Sequence, residues 1–169
     1  FMARDRMGVK PFFYAELPDG LFIFGSELKS LRAHPGLPHA IDPQAVEEYF
    51  AYGYVPEPKT IYAGAKKLSP GYSLTVKIGQ PVPQPKQFWD VPFKLHHAMT
   101  ESDAKGELVE RLREAVKIRL KAEVPLGAFL SGGVDSSAVV AMMAGLNKDP
   151  VNTCSIAFQE KAFDESQYA

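Results

Sequence analysis

The stretch that decides the fold of this chain reads Ser131-Gly132-Gly133-Val134-Asp135-Ser136-Ser137. A short apolar run, residues 124–130, precedes it, and residues 138–145 follow with the composition of a helix. This order predicts a strand, a glycine loop and a helix. Adjacent glycines bring backbone N–H groups close to a ligand, and the N-terminus of the helix adds partial positive charge. The stretch therefore predicts an anion site.

The polar side chains of this loop indicate which anion it binds. The hydroxyls of Ser131, Ser136 and Ser137 can donate to phosphate oxygens, whereas the carboxylate of Asp135 repels phosphate unless a divalent cation lies between them. Asp135 therefore predicts magnesium. A kinase-like or GTPase-like phosphate loop is excluded, because no lysine enters these residues. The alternative is a helix start that binds nothing, since serine and glycine are common there.

The first half of the chain is predicted to contain both strands and helices. Two aromatic-rich segments flank the turn at residues 17–20, which predicts a β-hairpin. Helices are predicted over residues 27–33, capped by Ser26, and from Asp42-Pro43 to Gly53. Residues 72–78 alternate as a strand, and the chain is expected to begin inside a strand. Prolines in residues 81–92 favour an edge strand or a linker.

Helical periodicity begins after residue 99. Residues 100–103 resemble a capping box, and apolar residues recur at helical spacing up to Lys121. We therefore place a linker at residues 91–99, between a first domain, residues 1–90, and a second, residues 100–169.

The composition excludes several classes of protein. Of the 169 residues, 46% are hydrophobic and 23% are charged, which excludes disordered, collagen-like and coiled-coil chains. The net charge of −1 predicts no general attraction to nucleic acid or to an anionic membrane. No apolar run approaches the roughly 20 residues of a membrane span, and none resembles a signal peptide. We therefore expect a cytoplasmic protein.

Several residues could suggest chemistry but have simpler interpretations. The only cysteine, Cys154, excludes an intrachain disulfide, and its alternating segment predicts a buried strand residue rather than a nucleophile. The adjacent His96 and His97 point to different faces of any regular element, so we interpret them as linker rather than metal ligands. A short basic cluster is interpreted as a solvated or salt-bridged face; it consists of Arg4, Arg6 and Lys10. Three apolar pairs are interpreted as core residues: Phe12-Phe13, Tyr49-Phe50 and Met142-Met143.

Two sets of motifs resemble known families. Residues 131–136 are similar to the pyrophosphate-binding motif of the ATP-pyrophosphatase, or PP-loop, enzymes, which transfer AMP to a carboxylate or carbonyl. Residues 4–11 and 24–31 are similar to the later half of a class II glutamine amidotransferase domain. Joined in this order, with residues 52–56 and 67–71 between them, they resemble glutamine-hydrolysing asparagine synthetases over nearly the whole chain. Within that family, the sequence motifs are most similar to those of bacterial asparagine synthetase-like amidotransferases associated with exopolysaccharide and exosortase loci.

The resemblance implies a fold and a set of ligands. Residues 1–90 would be the C-terminal part of an Ntn-type glutaminase domain, an α+β fold of antiparallel sheets with helices. Residues 100–169 would begin an α/β PP-loop domain. The implied substrates are glutamine, ATP and aspartate or a related carboxylate, with Mg²⁺ as the metal and a homodimer as the assembly. No nucleic-acid or membrane partner is expected.

The resemblance also implies roles for individual residues. Asp5 matches the aspartate that holds the α-amino group of glutamine, a charge-assisted pair. Leu130 and Ile156 match positions whose backbone contacts ATP, although both look like core residues from composition alone. The pyrophosphate loop is matched by Ser131, Gly132, Gly133, Asp135, Ser136 and Ser137, with Asp135 as the magnesium ligand.

The chain departs from the family pattern at both ends. Class II glutaminases use an N-terminal cysteine as the nucleophile, whereas this chain begins with Phe1. We therefore expect no catalytic residue within it. Residues 163–169 break off where a helix is due, so we expect a fragment of a longer protein. The alternatives are another PP-loop ligase, such as a β-lactam synthetase-like enzyme, or a non-catalytic fragment.

Overall fold

The computed structural model describes residues 1–93, 99–160 and 164–169. Its contacts divide the chain into two compact units, Phe1–Phe93 and Lys94–Ala169. His96 and His97, interpreted above as linker, lie outside the described residues. No helix in the described ranges has both the length and the apolar character needed to cross a bilayer.

The first unit combines two antiparallel sheets with two helices, which confirms the predicted mixture of antiparallel strands and helices. One sheet has the strand order β1-β5-β6, and the other has the order β3-β2-β4. The elements in chain order are β1 (Met2–Ala3), β2 (Phe13–Glu16), β3 (Phe22–Gly25), α1 (Leu28–Arg32), α2 (Pro43–Tyr52), β4 (Lys66–Lys67), β5 (Tyr72–Leu74) and β6 (Lys86–Gln87).

The predicted hairpin is confirmed in β2 and β3. Tyr14 pairs with Phe24 in an antiparallel register, and the turn between the strands contains Gly20 at a φ of 82°. The carboxylate of Asp19 accepts the N–H of Leu21 at 3.0 Å, which closes the turn. A left-handed φ suits glycine because it has no Cβ.

The core of the first unit forms on both faces of β2. Ala15 belongs to a buried cluster with Leu31 and Leu37, whereas its neighbour Tyr14 belongs to a second buried cluster with Leu68 and Leu74. Successive side chains of a strand point to opposite faces, so β2 contributes to both clusters. Burial raises the pKa of the Tyr14 hydroxyl.

The helix boundaries agree with the local signals in one case and differ in the other. The Asp42 carboxylate accepts the N–H of Gln44 at 3.0 Å and of Ala45 at 3.4 Å, and Gly53 ends α2 at a φ of 77°. These features confirm the predicted start and end of α2. By contrast, Glu27 and not Ser26 is the N-cap of α1, and it makes no side-chain capping bond.

The aromatic pair of α2 does not lie in the core. Tyr49 is 52% exposed and Phe50 is 82% exposed, so the interpretation of this pair as core is wrong. The helix buries Ala45 in its first turn, while its last turn faces solvent within this unit. The spacing of apolar residues therefore predicted the helix correctly, but it did not predict which of its residues are buried.

The second unit contains a βαβ unit preceded by a helix. Its elements are α3 (Glu101–Lys117), β7 (Gly127–Phe129), α4 (Val134–Leu146), β8 (Asn152–Cys154) and a 3₁₀ turn (Ser166–Tyr168). The Thr100 hydroxyl accepts the Asp103 N–H at 3.2 Å, which confirms the predicted cap of α3. Strands β7 and β8 pair in parallel, and α4 is the crossover that parallel strands require.

Burial in the second unit differs from the sequence interpretation. Cys154 is exposed, so the prediction of a buried strand residue is wrong. The reason is that, among the residues that the structure describes, β8 pairs only with β7, which leaves much of its surface uncovered. Met143 is buried as expected, and its neighbour Met142 is half-buried.

Candidate functional site

The glycine loop lies between β7 and α4. Leu130, which follows β7, donates its N–H to the carbonyl of Cys154 at 2.9 Å and so continues the pairing with β8. Gly132 then has a φ of 82°. A Cβ at this position would come within 2.5 Å of the Tyr168 Cβ. Glycine is therefore needed twice here, for its backbone conformation and for the close approach of the 3₁₀ turn.

Helix α4 begins with backbone N–H groups that no carbonyl of the helix accepts. Gly133 is the N-cap residue and has no side chain that could cap the helix. The first helical hydrogen bond runs from the N–H of Ser137 to the carbonyl of Gly133 at 3.0 Å. The N–H groups of residues 134–136 precede that bond, so they have no partner inside the helix. Together with the helix dipole, they favour a bound anion.

Two serines close the loop on itself. The Ser136 hydroxyl accepts the N–H of Ser131 at 3.3 Å and donates to the carbonyl of Gly133 at 3.1 Å. The Gly133 N–H donates to the Ser131 hydroxyl at 3.4 Å. These side chains therefore already point into the loop, where a phosphate oxygen could replace one hydroxyl as the partner of the other.

Asp135 lies in the first turn of α4 and is exposed. Within the described ranges, no group of three or more His, Cys, Asp or Glu side chains is placed to hold a metal ion. A single carboxylate is nevertheless compatible with Mg²⁺, which is commonly bound by one or two carboxylates together with substrate phosphates. The donor set fits a magnesium ion that arrives with its phosphate ligand.

A cleft of about 230 Å³ lies beside the loop. Its walls include Leu130, Ser131 and Ile156, so the structure brings these three predicted residues together. Ile156 is 68% exposed and Leu130 is half-buried. The impression from composition that Ile156 is a core residue is therefore wrong. Parallel pairing explains the arrangement, because the carboxyl ends of β7 and β8 meet at one edge.

Sequence reasoning missed three residues around this cleft. The Ser155 hydroxyl donates to the carbonyl of Leu130 at 2.7 Å and ties the ends of the two strands together. Tyr168 packs against Gly132, and Glu165 lines the cleft. Ser155 could have been found from its position directly after β8. Tyr168 and Glu165 have no local sequence signal that predicts their place beside the loop.

Asp164 orders the segment that carries Glu165 and Tyr168. Its carboxylate accepts the N–H of Ser166 at 3.2 Å and the N–H of Phe158 at 3.4 Å. Hydrogen bonds from the Ser166 hydroxyl and backbone hold the pKa of Asp164 below its ordinary value. The ionised carboxylate is therefore the form that holds this segment in place.

Asp5 lies in the first unit on an exposed loop. Its carboxylate accepts the N–H of Val9 at 2.8 Å and the N–H of Lys10 at 3.1 Å. The bonds from Lys10 and Val9 hold the pKa of Asp5 below its ordinary value. A carboxylate has about four acceptor positions, so two remain for a cationic ligand. Asp5 is thus an ionised, exposed acceptor fixed by its own loop.

The basic cluster around Asp5 is only partly a surface feature. Arg4 pairs with Glu57 at 3.3 Å, in line with a salt-bridged interpretation, but its side chain is only 9% exposed. The guanidinium of Arg6 lies 5.9 Å from the centre of the Trp89 ring, within cation–π range. Lys10 is exposed.

Two family profiles match the chain. A glutamine amidotransferase domain profile matches residues 1–89, which is more than half of the chain. An asparagine synthase profile matches residues 107–169.

Individual relatives extend over almost the whole chain. A relative from Methanocaldococcus jannaschii is 39% identical over 173 residues, covering 99% of this chain and 33% of its own length. The glutamine-hydrolyzing asparagine synthetase 3 of Bacillus subtilis is 38% identical over 178 residues, covering 99% of this chain and 28% of its own length. The asparagine synthetase 1 of the same organism is 34% identical over 171 residues, with 99% and 26% covered.

This chain thus spans a third or less of the length of these relatives. The two profiles and the near-complete coverage of the chain agree with one another. The chain belongs to the family of asparagine synthetase-like, glutamine-hydrolysing amidotransferases.

Proposed function

We propose that this chain is the junction region of an ATP-dependent, glutamine-hydrolysing asparagine synthetase. In this proposal residues 1–90 are part of an Ntn-type glutaminase domain, residues 91–99 are a linker, and residues 100–169 begin a PP-loop synthetase domain. The matched ranges of the two profiles support this division, as does the boundary between the two compact units after Phe93.

The glycine loop is the observation that carries the proposal. Free N–H groups at the start of α4, a left-handed Gly132 and two inward-facing serines form a site for an anion at the end of a β-strand. The pyrophosphate part of ATP is the anion that this site would bind. The adjacent cleft beside Leu130 and Ile156 offers space for the rest of the nucleotide.

Asp135 would hold Mg²⁺, whose charge offsets the repulsion between this carboxylate and the phosphates when the ion is bound. The backbone donors of residues 134–136 would then orient the pyrophosphate leaving group. Ser131 and Ser136 would exchange their mutual contact for phosphate oxygens. These groups are preorganised by the loop, so they need little reorganisation as charge develops on the leaving group.

Asp5 would bind the α-ammonium group of glutamine in the first unit. A charge-assisted hydrogen bond to a fixed carboxylate is stronger than a neutral one and favours a substrate with a free amino group. The proposed role requires an ionised carboxylate, and the backbone bonds from Lys10 and Val9 favour that form.

The reaction of the whole protein is the one that the family resemblance implies. Hydrolysis of glutamine releases ammonia and glutamate, while ATP and aspartate form β-aspartyl-AMP and pyrophosphate. Ammonia then displaces AMP to give asparagine. Separate sites keep water away from the reactive acyl-adenylate. A cytoplasmic homodimer completes the proposal, since glutamine and ATP are cytoplasmic metabolites and the family resemblance implies the dimer.

The test uses Asp135→Asn in the full-length gene product, with Asp149→Asn as the matched control. Asp149 is exposed and follows α4 at a distance from the glycine loop in sequence. We expect Asp135→Asn to abolish AMP formation from ATP and aspartate while glutamate release from glutamine continues. Equal loss of both activities would contradict the division of roles. If AMP formed with another carboxylate and not with aspartate, that carboxylate would be the acceptor, and the protein would be another PP-loop ligase, such as a β-lactam synthetase-like enzyme.

A further inference from the structure

We propose that Arg4 is a positioning residue that holds the Asp5 loop in the geometry needed to bind the α-ammonium group of glutamine. The inference rests on the proposed function of Asp5. Arg4 itself touches no substrate in this proposal. It acts through the backbone of residues 5–10.

The Arg4 guanidinium donates to three backbone carbonyls. The distances are 2.7 Å from Nη1 to Leu68, 3.0 Å from Nε to Lys10 and 3.1 Å from Nη2 to Gly8. The same Nη1 lies 3.3 Å from the Glu57 carboxylate. A largely covered guanidinium with this many partners connects the Asp5 loop to two distant parts of the unit, at Leu68 and Glu57.

Arg4 and Asp5 bind opposite ends of one peptide group. The carbonyl of Gly8 accepts from Arg4, and the N–H of the next residue, Val9, donates to Asp5 at 2.8 Å. Lys10 is also held by both residues, but through two successive peptide groups: its carbonyl accepts from Arg4 at 3.0 Å and its N–H donates to Asp5 at 3.1 Å. The Asp5 carboxylate is therefore oriented by N–H groups whose own positions depend on Arg4.

Gly8 makes this arrangement possible. It has a φ of 66°, and a Cβ at this position would lie 2.9 Å from Arg4 Nη2 and 2.7 Å from Pro70 Cγ. The close approach of the guanidinium therefore depends on the missing side chain. Lysine could not replace Arg4 here, since a single ammonium cannot reproduce the planar fork that reaches three carbonyls.

A purely structural role for Arg4 predicts different kinetics. Loss of packing would lower the activity toward every substrate alike. A positioning role predicts a selective loss for substrates that carry an α-amino group, because only these use Asp5. Glutamine can therefore be compared with glutaric acid monoamide, which has the same scissile amide and lacks the α-amino group.

The experiment measures glutamate or glutarate release by the full-length gene product and its Arg4→Lys, Arg4→Met, Asp5→Asn and Arg32→Met variants. Arg32 lies exposed at the end of α1 and serves as the matched control. We expect both Arg4 variants to raise the KM for glutamine about tenfold, as for one weakened charge-assisted contact, with kcat little changed. Activity toward the monoamide should stay at the wild-type level.

A second readout needs no activity. In the 169-residue chain, a ¹³C NMR titration of the Asp5 carboxyl should show a higher midpoint in Arg4→Lys than in wild type and no shift in Arg32→Met. Arg4→Lys retains the positive charge beside Glu57, so it provides the answer if Arg4→Met does not fold. The dispersion of the amide proton chemical shifts shows whether each variant is folded.

The outcomes separate the two proposals. If Asp5→Asn leaves discrimination against the monoamide unchanged, Asp5 does not bind the α-ammonium group and the proposed role of Asp5 fails. If Asp5→Asn removes discrimination but the Arg4 variants affect both substrates equally, Arg4 is merely structural. An unchanged Asp5 titration in Arg4→Lys would also overturn the positioning role.

Discussion

The hydroxyl oxygens of Ser131 and Ser136 lie 3.0 Å apart across the glycine loop. Ser131 lies two residues after the end of β7, and Ser136 lies in the first turn of α4. Their contact joins the strand end to the helix start. Both hydroxyls also contact backbone groups of the loop, so the loop is preorganised by its own side chains.

Replacing Ser136 tests this preorganisation. In the full-length gene product, Ser136→Ala should lower AMP formation about tenfold to a hundredfold, because one donor to a charged phosphate is lost. Glutamate release should not change. Ser102→Ala, an exposed serine in the first turn of α3, is the control. Equal AMP formation by the two variants would show that the Ser136 hydroxyl does not contact the phosphate.

Gly132 should be intolerant of a side chain. In the 169-residue chain, Gly132→Ala should destabilise the second unit by about 1–3 kcal/mol, because it combines a left-handed φ with a Cβ placed against Tyr168. Urea unfolding followed by circular dichroism measures the change.

Gly145→Ala is the matched control for Gly132→Ala. Gly145 lies within α4, and a Cβ there would meet nothing within 4 Å. We therefore expect this variant to stabilise the helix by about 0.5–1 kcal/mol, since alanine has the higher helix propensity. Changes of the same sign in the two variants would contradict the packing of Tyr168 on the loop.

Gly71 should control the attachment of the only tryptophan. Its carbonyl accepts the N–H of Trp89 at 3.2 Å, and a Cβ at this position, where φ is 71°, would lie 2.5 Å from the Trp89 carbonyl. Gly71→Ala should therefore displace Trp89 and shift its fluorescence emission to longer wavelength. Gly79→Ala has a similar φ of 77° but open space at the Cβ, so it should leave the emission unchanged. If the emission wavelength shifted equally in both variants, backbone strain alone would explain the effect, and contact with Trp89 would not.

The carboxylate of Asp5 should stabilise the first unit only while it is ionised. Its pKa is lowered in the folded chain, so the stabilising contribution is present above the ordinary carboxyl pKa and is lost as the pH falls through the lowered value. The difference in unfolding free energy between wild type and Asp5→Asn should therefore shrink below about pH 4. Urea unfolding of both chains across this range provides the measurement. A difference that grew toward acid would contradict the bonds from Val9 and Lys10.

Local signals were sufficient for the parts of the fold that near neighbours specify. The cap of α2 by Asp42, its end at Gly53 and the cap of α3 by Thr100 depend on residues within one helical turn. The glycine loop has the same character, because Gly132 and Gly133 can be recognised from their own sequence context.

Burial could not be derived in the same way. Tyr49, Phe50, Cys154 and Ile156 are apolar or alternate as core residues do, yet all four are exposed. Periodicity identifies the helix or strand, but whether a face is covered depends on what packs against it. Within the described part of the chain β8 pairs with a single strand, and the last turn of α2 is exposed in its unit.

The amino-acid order therefore dictated the loop, the caps of α2 and α3 and the hairpin, because each needs only residues that are close along the chain. Tertiary contacts decided the rest. The Arg4 guanidinium donates to the Leu68 carbonyl, and Tyr168 lies on Gly132, across sequence separations that no local pattern predicts. Their positions follow from the pairing of strands and the return of the backbone, since a hydrogen bond or a packing contact requires proximity in space rather than in sequence.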